Sequence, residues 1–183
     1  MATPRYYMAC IDLTGRAVLV VGAGRVALEK IEGLLAGGAE VTVVAPQVLP
    51  EVEALGLTIV HRGYRTEDLD GKFLVVAATA TTSVNRRVFR DAESRALLCN
   101  VVDVPELCSF IVPSIIRRGP VLVAISTGGQ SPSLAKSLRR RLEVILPASL
   151  GRLARRLGAA RRRILRALPP SPARTRLLKG LVR

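Results

Sequence analysis

The stretch Ala17-Val18-Leu19-Val20-Val21-Gly22-Ala23-Gly24-Arg25-Val26-Ala27 decides the reading of this chain. Five apolar residues in a row, β-branched in part, stop at a glycine. Such a run suits a parallel strand buried on both faces. From Arg25 to Leu35 the apolar residues Val26, Ala27, Ile31, Leu34 and Leu35 fall at helical spacing, and Gly37-Gly38 supplies a C-terminal stop. Between the two, Gly22-Ala23-Gly24-Arg25-Val26-Ala27 reads G-x-G-x-x-A. Alone that pattern is weak, but a buried strand before it and a helix after it are the context of a dinucleotide fingerprint. Gly22 would make the tight turn, and Gly24 would let the backbone reach a pyrophosphate. Ala27 would permit close helix–strand packing, and the helix N-terminus would offer free N–H groups to the phosphates. The plain alternative is a glycine turn in a fold that binds nothing.

Working outward, further strands are expected at Val41–Ala45, Leu57–Val60, Phe73–Ala78, Leu97–Val102, Phe110–Val112 and Val121–Ile125. Ser83 can cap a helix to about Arg95, with Val84, Val88, Phe89 and Ala92 on one face. Strand–helix alternation of this kind predicts an α/β Rossmann-type fold, a doubly wound parallel sheet with right-handed crossovers. Then the character changes. Ser131-Pro132 opens a helix that runs to Leu146, where Pro147 stops it. Leu150, Leu153, Leu157, Ala160, Ile164 and Leu168 form an apolar stripe on an arginine-covered helix, which Pro169-Pro170 breaks. Residues 171–183 read as a second short helix or a frayed end.

The chain has 183 residues, 49% of them apolar, enough to bury a core without a disulfide or metal staple. Cys10, Cys99 and Cys108 show no paired spacing and read as buried, reduced thiols. No apolar run reaches the ~18 residues a membrane span needs, and the first residues do not read as a signal peptide. A cytoplasmic protein with no membrane partner is therefore expected. The net charge of +14 is unevenly placed. Residues 1–100 carry 11 basic and 11 acidic side chains; residues 101–183 carry 17 basic ones and only Asp103, Glu106 and Glu143 as acids. A solvated face, a nucleic-acid surface and a polycarboxylate ligand all suit such a half. No aromatic residue follows Phe110, so stacking platforms for single-stranded nucleic acid are missing and that partner is the least expected.

Three further places bear on chemistry. The strand ending Val43-Val44-Ala45-Pro46-Gln47 lacks the acid that usually holds an adenosine ribose, and no arginine there would welcome a 2′-phosphate. Charge alone does not choose NAD over NADP. Asn100-Val101-Val102-Asp103-Val104-Pro105 sets Asn100 and Asp103 at the carboxyl end of an expected strand. Asp103 could act as a base while a hydride leaves, could transiently ligate a metal, or could simply start a turn. Ser126-Thr127-Gly128-Gly129-Gln130-Ser131-Pro132 links a strand to a helix and can cradle an anion, or can be a flexible loop with an ordinary cap. His61 reads as structural. A zinc site with Cys99 and Cys108 is not expected, since the spacing matches no common ligand pattern.

Several motifs in one order, at compatible spacing over residues 6–165, resemble the precorrin-2 dehydrogenase/sirohydrochlorin ferrochelatase family, which includes the N-terminal module of siroheme synthases. They are Asp12-Leu13-Thr14-Gly15-Arg16, Val18–Gly22, Gly24–Ala27 with Lys30, Ala77-Ala78-Thr79, Val84-Asn85, Asn100–Asp103, Ser109–Ile115 and Ser126–Pro132. The resemblance implies NAD-dependent oxidation of the tetrapyrrole precorrin-2 to sirohydrochlorin, with ferrous iron as substrate of a further chelation step in some members. It implies NAD on Gly22, Ala23, Gly24, Arg25 and Val26, with Ala45 and Pro46 at the adenosine and Thr79 near the dinucleotide. Asp103 matches the family's catalytic aspartate, and Asn100, Ser126, Thr127, Gly128 and Gly129 would surround the macrocycle. A homodimer is implied, with 1–113 the NAD-binding domain, 114–146 a dimerisation segment and 147–183 a basic helical segment. The chain departs from the pattern at Met8, where a proline is expected, at Ala23 in place of a common glycine, and in its arginine-rich tail. No uroporphyrinogen-methylating activity is expected.

Overall fold

Val18 and Val20 pack against one side of a sheet and Leu19 and Val21 against the other, and all four are buried. They belong to β1 (Ala17–Val21), the middle strand of a five-stranded sheet in the computed structural model, which describes residues 6–181. Its neighbours are β2 (Glu40–Val44) and β4 (Leu74–Ala77), with β3 (Thr58–Val60) and β5 (Leu98–Val101) at the edges. The order is β3-β2-β1-β4-β5 and every pairing is parallel. Helix α1 (Arg25–Leu35) covers one face through Ala27 and Ile31. Helix α3 (Thr82–Glu93) covers the other through Val88 and Ala92. A short helix α2 (Pro50–Glu53) adds Val52 to the first face. This is the doubly wound α/β sheet expected from the alternation of apolar runs and helical spacing. Each fully buried Val or Leu contributes roughly 1.5–3 kcal/mol, which is why one central strand can anchor the whole unit.

The chain divides into two compact units, one reaching to Ile111 and the other beginning at Val112. In the second, β6 (Ser114–Arg118) and β7 (Val121–Ile125) form an antiparallel hairpin turned at Gly119, whose φ is +61°. Helices α4 (Pro132–Ile145), α5 (Ser149–Ala167) and α6 (Pro172–Gly180) follow. The Ser131 hydroxyl accepts from the Leu134 N–H at 3.3 Å, the expected cap, with Pro132 in the first turn. Arg118 closes the other end of α4, its Nε donating to the Leu146 carbonyl at 2.9 Å and its terminal nitrogen to Glu143 O at 3.1 Å. Those are orphan carbonyls that a cation at a helix C-terminus satisfies.

Several expectations are corrected. Phe110–Val112 is not a strand, because Asn100 Nδ2 occupies the Phe110 carbonyl at 3.0 Å and the hairpin begins later, at Ser114. Ser114-Ile115-Ile116-Arg117-Arg118 carries no strand signal in the sequence, because two adjacent isoleucines followed by two arginines show no period-2 alternation. Ser83 is not a cap: it lies inside α3, whose N-cap residue is Thr81 and whose start takes no side-chain cap. Val26 does not join the buried face of α1 and is 47% exposed. Cys10 is exposed and Cys108 only half-buried, so of the three thiols Cys99 alone is fully buried as expected. His61 is exposed and packs into no core.

Candidate active site

Parallel register aligns Val60, Val44, Val21, Ala77 and Val101 in one row across the sheet. The residues just past that row are His61, Ala45, Gly22, Ala78 and Val102, so all the expected positions of the first unit crowd one edge. The strand order reverses between β1 and β4, and ligands of open α/β sheets bind at such a switch point, beyond the carboxyl ends of the strands.

Gly22 and Ala78 meet across that switch. The Gly22 N–H donates to Val44 O at 2.9 Å, its φ is +106°, and a Cβ there would lie 2.5 Å from the Ala78 carbonyl oxygen. Only glycine fits. Gly24 is different. It flanks the start of α1, no side chain caps that helix, and a Cβ on Gly24 would meet nothing within 4 Å. Ala23 is buried, while Arg25 and Val26 are exposed. The first turn of α1 thus presents uncapped N–H groups to an open space, which fits a pyrophosphate. Ala27 sits fully buried against β1, the close helix–strand contact the third small residue provides.

Around this turn, Ala45 is buried with its N–H on Val60 O at 3.2 Å, and Pro46 is exposed. Thr79 stands beside Gly22, but its hydroxyl is spent inside its own loop. It lies 2.7 Å from Asn85 Oδ1, it accepts from the Thr81 N–H at 3.1 Å, and Asn85 Nδ2 donates to Thr79 O at 2.9 Å. Asn85 is therefore the positioning residue of that loop. Its signal in the sequence was a lone amide on the apolar side of an expected helix.

Past β5, Val102 N–H donates to Ala77 O at 3.0 Å and Asp103 follows in the left-handed region at φ +61°. Its side chain is exposed. Register therefore sets the strand that leads to Asp103 two strands from the glycine turn, with both past the same carboxyl edge of the sheet. The loop carrying it is tied down behind. Cys99 N–H donates to Ser109 Oγ at 2.7 Å, Ser109 N–H to Cys99 O at 2.9 Å, and Asn100 Nδ2 to Phe110 O. Asn100 is 7% exposed, its amide nitrogen holds the returning chain, and its Oδ1 has no partner among the described residues. Ser109 was not expected as a positioning residue.

Ser126, Thr127, Gly128 and Gly129 belong to the second unit. Gly128 and Gly129 have φ of +61° and +82°. The Ser126 hydroxyl accepts from Gly128 N–H at 3.1 Å, and the Thr127 hydroxyl from Ser131 N–H at 3.0 Å. The loop is a structured turn into α4. Farther on, Arg156 and Arg163 flank a shallow depression floored by Ala159, Ala160 and Ile164. No acid occurs after Glu143. Among the described residues no three His, Cys, Asp or Glu side chains gather as a metal centre would require, and no helix is long and apolar enough to cross a membrane.

Fold and site together define a dinucleotide-binding protein of the Rossmann type. Residues 9–114 match a family described as putative NAD(P)-binding, and residues 118–144 match the sirohaem biosynthesis protein central family. The siroheme synthase of Thioalkalivibrio sulfidiphilus is 42% identical over 181 residues, covering 97% of this chain and 37% of that protein. Siroheme synthase 1 of Cronobacter sakazakii is 49% identical over 156 residues, or 83% of this chain and 33% of that protein. The chain thus spans about a third of the length of these curated relatives. A solved structure of SirC, precorrin-2 dehydrogenase, superposes with a TM-score of 0.80 at 32% identity, covering 97% of this chain and 90% of that one. The chain belongs to the precorrin-2 dehydrogenase family, with the NAD(P)-binding domain that family shares with siroheme synthases.

Proposed function

We propose that this protein oxidises precorrin-2 to sirohydrochlorin with NAD, in the formation of siroheme. The observation that carries the reading is the register that sets the glycine turn and Asp103 on one sheet edge, two strands apart. Bound along the glycine turn, NAD supplies the hydride acceptor. Asp103 takes the proton that leaves the macrocycle as the hydride departs, so two electrons and two protons are removed in all. Gly22, Ala23, Gly24, Arg25 and Val26 hold the pyrophosphate, Ala45 and Pro46 flank the adenosine, and Thr79 shapes the groove between. The unpartnered Oδ1 of Asn100 stands ready for a pyrrole N–H of the substrate.

The basic second unit suits a ligand with an apolar body and many carboxylates. Arginine forks beside an apolar floor, as at Arg156 and Arg163, are the complement of such a molecule. Ser126, Thr127, Gly128 and Gly129 are assigned to its carboxylates. A homodimer built through residues 114–146 accounts for the apolar side chains exposed there, of which Val144 is 87% and Ile145 70% exposed. Insertion of ferrous iron into the product extends the same reading, with iron as substrate.

The test is anaerobic turnover of precorrin-2 with NAD, followed by the absorbance of sirohydrochlorin and of NADH. A second arm adds ferrous iron and reads siroheme. NADH formed in step with sirohydrochlorin supports the reading. Tight NAD binding with no turnover removes it.

A further inference from the structure

The Val60 carbonyl oxygen accepts two backbone N–H groups, that of Ala45 at 3.2 Å and that of Arg62 at 2.9 Å. This shared acceptor fixes Arg62 directly beside the end of β2, where a Rossmann fold reads the adenosine ribose. NAD-specific sites place an acid there for the 2′-hydroxyl, and NADP-specific sites place an arginine nearby for the 2′-phosphate. Here no acid stands at the end of β2, so an available guanidinium would favour NADP. The Arg62 guanidinium is largely committed elsewhere. Its two terminal nitrogens donate to Asp68, at 2.9 Å to Oδ2 and 2.6 Å to Oδ1, and one of them also donates to Gly63 O at 3.0 Å. The Asp68 carboxylate is itself held, since its Oδ2 also accepts from the Arg65 N–H at 2.8 Å, and its side chain is only 9% exposed. Three of its five N–H groups are engaged and its charge is paired with Asp68, which holds the guanidinium away from a phosphate and weakens what it could offer one.

We propose that Asp68 sets nucleotide choice by sequestering Arg62, so that the chain takes NAD although it lacks the usual ribose-reading acid. Asp68 is a specificity-determining residue that acts through Arg62 and does not touch the cofactor. The proposal rests on the reading that a dinucleotide lies along Gly22–Val26. Arg65, three residues on, is exposed and keeps its backbone N–H on Asp68.

The experiment titrates the full chain with NAD and with NADP by calorimetry, with circular dichroism as a check of fold. Asp68→Asn should tighten NADP at least about tenfold, the scale of one charge-assisted phosphate contact, while NAD stays within about twofold. Adding Arg62→Gln to Asp68→Asn should abolish the gain, whereas adding Arg65→Gln should not. In the otherwise natural chain, Arg62→Gln should leave both affinities unchanged. Unaltered NADP affinity in a folded Asp68→Asn protein that still binds NAD overturns the proposal, as does a gain that survives Arg62→Gln. If Asp68→Asn does not fold, Arg62→Gln decides: loss of either affinity would mean that Arg62 already touches nucleotide, against the proposal. Failure of the natural chain to bind NAD at all would instead strike the proposed function.

Discussion

A Cβ on Gly22 would stand 2.5 Å from the carbonyl oxygen of Ala78, so the loops that end β1 and β4 touch backbone to backbone at the sheet's switch point. Gly22 also holds φ +106°, which side-chain-bearing residues rarely adopt. Gly22→Ala should therefore cost at least about 2 kcal/mol of stability. Gly24 makes the converse case, because a Cβ there meets nothing and its backbone is extended. Gly24→Ala should lower the melting temperature by only about 2–4 °C, the cost of alanine at an N-cap, yet bind NAD at least about tenfold more weakly, because the methyl enters the space assigned to the pyrophosphate. Thermal melts with NAD titrations on both variants separate the two roles. Tight NAD binding by Gly24→Ala would remove the cofactor from this turn.

Asp103 is exposed and left-handed at φ +61°, so its backbone favours Gly or Asn over Ala. Asp103→Asn and Asp103→Gly should keep the fold and the NAD affinity, and should form no sirohydrochlorin. Asp103→Ala should lose activity equally and melt lower as well, by about 1 kcal/mol. Comparing the three variants separates chemistry from strain. Turnover by Asp103→Gly at the natural rate would end the role of this carboxylate as a base.

The parts legible in the sequence are those where one local pattern had one physical meaning. Ala17–Val21, stopped by a glycine, suits a strand buried on both faces, and Ser131-Pro132 suits a helix start. The parts that stayed hidden depend on contacts between distant segments. Nothing local to Arg62 says that Asp68 holds it, and nothing in Phe110–Val112 says that Asn100 has taken the carbonyl that a strand would need. The hairpin strand Ser114–Arg118 pairs with Val121–Ile125 but carries no alternation of its own. Among the expected site residues, those at strand ends could be placed from strand order alone. The spent hydroxyl of Thr79 could not, since Asn85 reaches it from inside the next helix.

Burial pushes the Cys99 thiol up to about 12, with the nearby Cys108 adding to the shift, and burial also raises Cys108 above the ordinary thiol value. A raised pKa keeps the neutral thiol to higher pH, and the thiolate is the nucleophile. At pH 8 iodoacetamide should therefore modify exposed Cys10 first and leave Cys99 untouched until the protein unfolds. Mass spectrometry of peptides after timed labelling reads the order. Early modification of Cys99 in folded protein would mean that β5 opens readily, which would loosen the base of the Asp103 loop.

Helix α5 contains two interior glycines with opposite surroundings. A Cβ on Gly158 would approach only the far end of the Arg162 side chain, at 3.5 Å. A Cβ on Gly151 would collide with the backbone carbonyl of Arg118, in the turn between β6 and β7. Helix propensity favours alanine over glycine by about 1 kcal/mol at both positions. Gly158→Ala should therefore stabilise the protein by up to about that amount. Gly151→Ala should destabilise it, by about 1–3 kcal/mol, because backbone cannot yield as a flexible side chain can. Urea unfolding of the pair isolates the clash, since propensity cancels between them. Stabilisation by both substitutions would show that α5 does not rest on the turn between β6 and β7.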